Sequence, residues 1–485
     1  MESIVNNTKQ LKWLYIISAL FIACNAIFVA NEFFYFALLP FLALLLIFYL
    51  TALDKLLWFI VFATPLSLNL RDSDFNLGVS LPSEPFMFGI LLLFIFKLFK
   101  DNTINLSLLK HPVSIAIIIN VTWIFITCCT STLPIVSFKF LLSRLWFLVS
   151  FYYFGYFLFQ EYKNFNKFIW LYVISFSIVI IYTLINHSQY GFTMETANWV
   201  MSPFYNDHTI YGAILAMFFP LLLGFIFLKT NTFTKKITAT GFTLFFILAL
   251  VLSYTRAAWI SLVIAGMVLV LIKLKINWKL LITTCVVGLV LFFALKDKFL
   301  MKLEKNRQDS SSNLTEHVQS ISNISSDASN LERLNRWAAA MRMFKKKPML
   351  GFGPGTYSFK YAPYQFSYEK TIISTNAGDK GNAHSEYIGP LCESGVLGML
   401  TFIAIIVTIL IVGIKLYYRL TEPEPKMLVL CTLLGFVTYI VHGGLNNFLD
   451  TDKASVPFWA FASFIVALDV NSKREAKAKN TILGS

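Results

Sequence analysis

Residues 387–415 read YIGPLCESGVLGMLTFIAIIVTILIVGIK. Between Glu393 and Lys415 there is no charged side chain, and the run matches the roughly 20 apolar residues that cross a bilayer as a helix. Inside hydrocarbon every backbone N–H and C=O must pair within its own segment, so such a run reads as a transmembrane α-helix. Working outward, similar runs recur. Spans are expected near 13–30, 33–50, 56–70, 84–99, 113–130, 144–159, 167–186, 209–228, 237–254, 257–273, 279–296, 387–415, 427–442 and 456–470. The third and the last are short, so the expected number is about 12–14. The runs are continuous and lack the two-residue alternation of a transmembrane barrel. The expected fold class is all-α: a polytopic transmembrane helical bundle.

Composition agrees. Of 485 residues 57% are hydrophobic and 14% charged, and the mean hydropathy is +0.67. A soluble domain carries about 25% charged residues, so a water-soluble globule and a disordered chain are both excluded. The net charge of +14 invites a nucleic-acid reading. The basic residues, however, lie in short clusters between apolar runs, as in a membrane protein setting its orientation, and no nucleic-acid partner is expected. With the N-terminus inside, the inner segments hold about 21 Lys and Arg and the short outer ones about 5. Both termini are therefore expected in the cytoplasm. The six cysteines show no CxxC spacing and lie mostly in apolar runs, where Cys behaves as a small hydrophobe. LFIAC at 20–24 faintly resembles a lipoprotein cleavage box, but more spans follow at once and an uncleaved first helix is expected.

Three regions follow: transmembrane helices over 1–296, a large outer loop over 297–385, and C-terminal helices with a cytoplasmic tail over 386–485. A shorter outer segment is expected at 187–208. The large loop is too long for a structureless connector. Its Ser- and Asn-rich part, 306–330, is expected to be mobile. Ser329 and Glu332 then stand at capping-box spacing, and Leu331, Leu334, Trp337, Ala338, Met341 and Phe344 form the stripe of an amphipathic helix, ended by Pro348. Arg333, Arg336 and Arg342 lie beside or opposite the stripe, to meet either lipid headgroups or substrate.

Arg256, in SYTRAAW, stands between two apolar runs. A charge well inside the bilayer costs about 2.5–3.5 kcal/mol, so it either snorkels to phosphates or faces a cavity, where a guanidinium would grip phosphate. Arg144, with Lys139 in SFKFLLSR, is open to the same two readings. His384, in GNAHSEYIGPLCESGVLG, is the side chain best suited to take a proton near neutral pH, with Glu386 and Glu393 near in sequence. Asp207 and His208, in FYNDHTIYG, are either a helix cap with its neighbour or part of the same site. No ligand spacing supports a metal site. GFGPGTY at 351–357 lacks a GK[ST] continuation, so it is no nucleotide loop; its glycines are expected to permit a tight turn near the site. The lack of internal repeats and of paired broken helices argues against a secondary transporter.

NDHTIYG, SYTRAAW, RLNRWAAAMRMFKKKPMLGFGPGTY and AHSEYIGPLCESGVLG together resemble the O-antigen ligase and polymerase superfamily of bacterial envelope glycosyltransferases. The likeness covers roughly 200–400, with Tyr254 and Ala257 as mild departures. It implies an enzyme of the bacterial inner membrane, its site facing the periplasm, that moves a glycan from undecaprenyl diphosphate by metal-independent inverting transfer, with no cofactor. In a ligase the acceptor is a sugar hydroxyl of lipid A core; in a polymerase it is another lipid-linked repeat unit. By residue, His384 corresponds to the family's base, Arg256 to its diphosphate-binding arginine and Arg336 to its loop arginine. Arg144 is a further candidate for the diphosphate, with Asp207, His208 and Glu386 in support. The competing classes are a lipid-linked oligosaccharide transporter and a non-catalytic scaffold.

Overall fold

The computed structural model describes residues 2–31, 47–69, 78–101, 106–275, 328–369 and 381–483. The chain divides into two units, Met1–Leu57 and Trp58–Ser485. The first carries the long helix α1 (Glu2–Ala30). The second carries the functional residues. Helix α2 (Leu53–Ala63) ends where Pro65 enters a 3₁₀ turn, Thr64–Leu66. The expected span at 56–70 is therefore cut short, because proline removes a donor and clashes with the preceding turn. The chain then forms a two-residue strand, β1 (Leu68–Asn69), antiparallel to β2 (Ser80–Leu81) in the register Leu68↔Leu81. Helix α3 (Ser83–Asp101) follows.

Among the described residues nine helices are long and apolar enough to cross a membrane. They are α4 (Pro112–Cys129), α5 (Pro134–Leu158), α6 (Tyr162–Gln189), α7 (His208–Phe227), α8 (Phe233–Leu252), α9 (Arg256–Lys273), then after the loop α11 (Ile388–Arg419), α12 (Pro423–His442) and α13, which runs Asp452–Leu483. The protein is a polytopic all-α membrane protein. The expected span at 279–296, most of that at 33–50 and the Ser/Asn-rich stretch before 328 lie outside the described residues. The five cysteines among the described residues are free thiols.

Burial sorts the helices. In its most apolar window α13 is 94% buried, and α7 and α12 are 78% buried; α8 and α9 are only 28% and 22% buried. The first three form the centre and the last two the lipid-facing rim, since lipid tails solvate apolar side chains as well as a neighbouring helix does. Small residues let the centre close. A Cβ at Gly435 of α12 would lie 2.4 Å from the Met217 carbonyl of α7. Polar pins hold α13 at its start and at its middle. Lys453 Nζ donates to the Thr64 and Ser67 carbonyls at 2.5 and 2.8 Å. Midway along it Asp469 pairs with His111 at 3.1 Å, Arg419 at 2.5 Å and Lys473 at 2.6 Å.

Two features shape the loop side of the bundle. Helix α11 is broken at Gly395, whose φ is +73° and whose Cβ would fall 1.9 Å from the Met349 carbonyl; only glycine fits. The carbonyls freed by the break are answered from outside. Trp123 Nε1 donates to Ser394 O at 2.8 Å, Gly353 N to Glu393 O at 2.8 Å and Phe352 N to Cys392 O at 3.2 Å. The glycine-rich segment thus docks into the broken helix and meets the demand that buried backbone be paired.

Helix α10 (Ala328–Lys346) occupies the expected amphipathic stretch, but its buried face is rotated. Leu331 and Met341 of the expected stripe are exposed, whereas Glu332, Arg336, Ala339, Ala340 and Met343 are buried. The inward face tolerates charge because Arg336 Nε donates to Glu332 Oε1 at 2.7 Å and its guanidinium lies 4.0 Å from the centroid of Tyr361. Ala340 and Met343 join Phe352, Tyr357, Tyr361, Ala383 and Cys392 in one apolar cluster, which fixes α10, the glycine-rich segment and the start of α11 together.

Candidate functional site

Most candidate residues fall at helix ends, where α7, α9 and α11 begin; Arg144 and Arg336 lie within α5 and α10. Short bonds tie these ends together. Thr255 Oγ1, at the cap of α9, donates to His208 O at 2.9 Å. Arg333 Nε of α10 donates to Leu445 O, just past α12, at 3.2 Å. Trp337 Nε1 donates to His384 O at 3.4 Å, and Glu386 N to Gly443 O at 2.8 Å.

His384 sits in a left-handed turn (φ +47°), with its N–H donating to Asn382 Oδ1 at 3.1 Å. Ser385 Oγ then accepts from Tyr387 N and Ile388 N at 3.2 and 3.3 Å, starting α11. Burial, and then the cations of Arg333 and Arg336, hold the imidazole well below its ordinary range, at about 4; Asp207 and Glu332 act in the opposite sense. The ring is therefore a free base throughout the neutral range.

Arg333 is the hub of this cluster. Its charge acts on His384, His208, His442 and Arg256, and Asp207 acts on it in return. Arg256 is the first residue of α9, so a guanidinium stands where the helix dipole is itself positive, beside a second guanidinium. Asp207 caps α7, its Oδ1 accepting from Thr209 N at 2.7 Å and Ile210 N at 3.1 Å; the cap and the neighbour of Arg333 are one carboxylate. His208 Nδ1 and His442 Nδ1 are buried with no hydrogen-bond partner among the described residues.

Arg336 takes a different place. It is 4% exposed, paired with Glu332 and stacked on Tyr361. Gly381 lies against its guanidinium, where a Cβ would be 1.9 Å from Nη1. It acts on His384 by its charge from within a closed pocket.

Arg144 and Glu386 form a second cluster. The charges acting on Arg144 are Glu386 and Asp450, and the guanidinium lies 5.4 Å from the Phe140 centroid. A π-helical segment, Leu148–Tyr153, follows within the same span. Glu386 Oε1 accepts from Tyr439 OH at 2.7 Å, Phe448 N at 2.6 Å and Leu449 N at 2.9 Å. Burial pushes this carboxyl above its usual range, opposed by those bonds and by Arg144. His384, Arg256, Asp207 and His208 thus all lie within reach of the Arg333 charge, Arg336 acts on His384 as well, and Arg144 and Glu386 line one cavity. The carboxylates that act most on His384 are Asp207 and Glu332. Sequence reasoning passed over Arg333 as one of three arginines on a helix, and Asp450 altogether. Among the described residues no three His, Cys, Asp or Glu side chains converge as a metal site would need.

A family model described as O-antigen ligase matches residues 241–403. The match runs from within α8 into α11 and takes in Arg256, Arg333, Arg336 and His384. An uncharacterized protein of Haemophilus influenzae is 25% identical over 261 residues, which is 50% of this chain and 63% of that protein. The chain thus spans less than two thirds of the length of the relative it matches.

Proposed function

We propose that this chain, a membrane glycosyltransferase-like member of the O-antigen ligase and polymerase superfamily by residues 241–403, transfers a glycan from a polyprenyl diphosphate to a sugar hydroxyl. The observation that carries the reading is the common neighbourhood of Arg333, whose charge reaches both the Arg256 guanidinium and the neutral His384 imidazole. The leaving diphosphate gains negative charge as the glycosidic bond breaks. Cations fixed where that charge develops stabilise the transition state, and a positive helix end adds to them. Arg256 and Arg333 are assigned that task. His384 takes the acceptor proton, a contribution of about 10²–10⁴-fold, with Arg336 and Glu332 positioning it. Attack opposite the leaving group inverts the anomeric centre. Asp207 and His208 hold Arg333 and the start of α7 in place.

The donor is read as undecaprenyl diphosphate and the acceptor as lipid A core, the ligase reaction, on the periplasmic face of the inner membrane with both termini cytoplasmic. The 297–385 region is read as the periplasmic loop. The distribution of Lys and Arg supports that orientation.

Transfer by purified protein in detergent, with defined lipid-linked donor and lipid A core, tests the reading. His384→Ala and Arg256→Ala should remain folded and inserted yet lose transfer by about 10²-fold or more, and a chelator should leave the wild-type rate unchanged. Normal transfer by both variants would overturn it. In cells, loss of a ligase leaves long lipid-linked chains unattached; single attached repeats would instead mark a polymerase.

A further inference from the structure

Beside the diphosphate cluster lies a cavity of about 110 Å³ whose lining includes Asn382, Ser385, Glu386, Asn447, Asp450 and Arg144. Resting on the transferase reading above, we infer that this cavity is the acceptor subsite: it holds one neutral sugar unit and presents a hydroxyl to His384. Four observations carry the assignment. Both chain neighbours of His384, Ala383 and Ser385, line the cavity, so its wall is continuous with the turn that carries the proposed base. Its one guanidinium, Arg144, shares the wall with the carboxyls of Glu386, Glu393 and Asp450, which oppose a diphosphate there, while Arg144 disfavours a cation. What suits opposed charges, amides and hydroxyls is a neutral polyol, which donates to carboxylates and accepts from amides. Asn447 Oδ1 is buried without a partner among the described residues, an acceptor that is costly to leave unmet and that a sugar hydroxyl would satisfy. Finally, the volume is below the roughly 300–1,000 Å³ of pockets that enclose whole ligands, as expected where one unit of a larger saccharide enters. Phe140 and Tyr357 on the wall offer apolar surface to the C–H face of the ring.

The step balances without another reactant. The acceptor hydroxyl oxygen bonds to the anomeric carbon of the donor. The bond from that carbon to the phosphate oxygen breaks, and its electron pair leaves with the polyprenyl diphosphate. The hydroxyl proton passes to the His384 ring.

The test measures saccharide binding with no donor present. The probes are two lipid-free saccharides, core oligosaccharide and repeat-unit oligosaccharide, titrated into wild type, Asn447→Ala and Asp450→Asn in detergent. At least one saccharide should bind the wild type, and both variants should weaken it by about tenfold while a short-chain polyprenyl diphosphate binds all three proteins alike. Preference for core marks a ligase acceptor and preference for the repeat unit a polymerase acceptor; either supports the subsite. Wild type that binds neither saccharide, variants that bind them unchanged, or variants that lose the diphosphate as well would overturn it. Failure of the transferase reading shows elsewhere, as transfer that survives His384→Ala.

Discussion

At the scale of single residues, Arg333 matters most, and it acts through charge. Removing it takes away the larger of the two cationic influences on His384. Arg333→Ala should therefore cut kcat/KM by about 10²-fold and move the acid limb of the pH profile upward. Arg333→Lys keeps the charge but not the fork and should restore the limb more fully than the rate. An unmoved limb in Arg333→Ala would contradict its place beside the ring. In wild type the free-enzyme limb, read from kcat/KM, should lie near pH 4, where the imidazole titrates; the limb of kcat should lie higher, because a bound anion offsets the cations. The same group bears on stability. Its folded pKa, about 4, is below its ordinary 6.5, so the unfolded chain binds more protons between those values, and stability falls as the pH drops through that window. Arg256 and His384 were legible in the sequence because each is a lone chemical group in an apolar or glycine-rich setting. Arg333 was not. Arg333 and Arg336 stand three apart on one helix, and nothing local says which guanidinium turns to the site and which is locked against Glu332 and Tyr361.

At the scale of elements, the broken helix α11 and the rotated helix α10 show where pattern reading stops. The apolar run after Gly395 announced a span, and α11 lies over it. The break itself could not be read, because it depends on Met349 and the glycine-rich segment, distant in sequence, coming within van der Waals contact of Gly395. Gly395→Ala should destabilise the protein by about 1–3 kcal/mol, seen as a lower unfolding temperature in detergent, with activity falling as His384 loses its support. An unchanged melting curve would mean that α11 heals into one straight helix. In α10 the apolar stripe predicted one face and packing selected another, because a paired Arg–Glu and small alanines fit closely beneath Tyr361. Gly381→Val, which drives a side chain into the Arg336 guanidinium, should destabilise the protein as severely or more. A neutral result would show that the segment before His384 is free to move aside.

For the whole molecule, the apolar periodicity read correctly because the bilayer allows few solutions to the backbone pairing problem. It could not say which helices form the centre; that follows from small residues such as Gly435 and from the polar pins on Lys453 and Asp469. The orientation makes its own prediction. Single cysteines introduced at Trp199, in the 187–208 segment, and at Lys345, on α10, should react with an impermeant thiol reagent added outside spheroplasts. One at Lys163 should react only after lysis. Reversed labelling would place the Arg333 cluster on the cytoplasmic side. The central claim is narrower: Arg256 and Arg333 hold a lipid diphosphate against His384. The direct measurement is the affinity of a short-chain polyprenyl diphosphate for wild type, Arg256→Ala, Arg333→Ala and His384→Ala, each also assayed for transfer. Each arginine variant should lose about tenfold or more in affinity, while His384→Ala should bind the diphosphate undiminished and transfer nothing. Wild-type affinity in either arginine variant, or transfer by His384→Ala, would contradict the account.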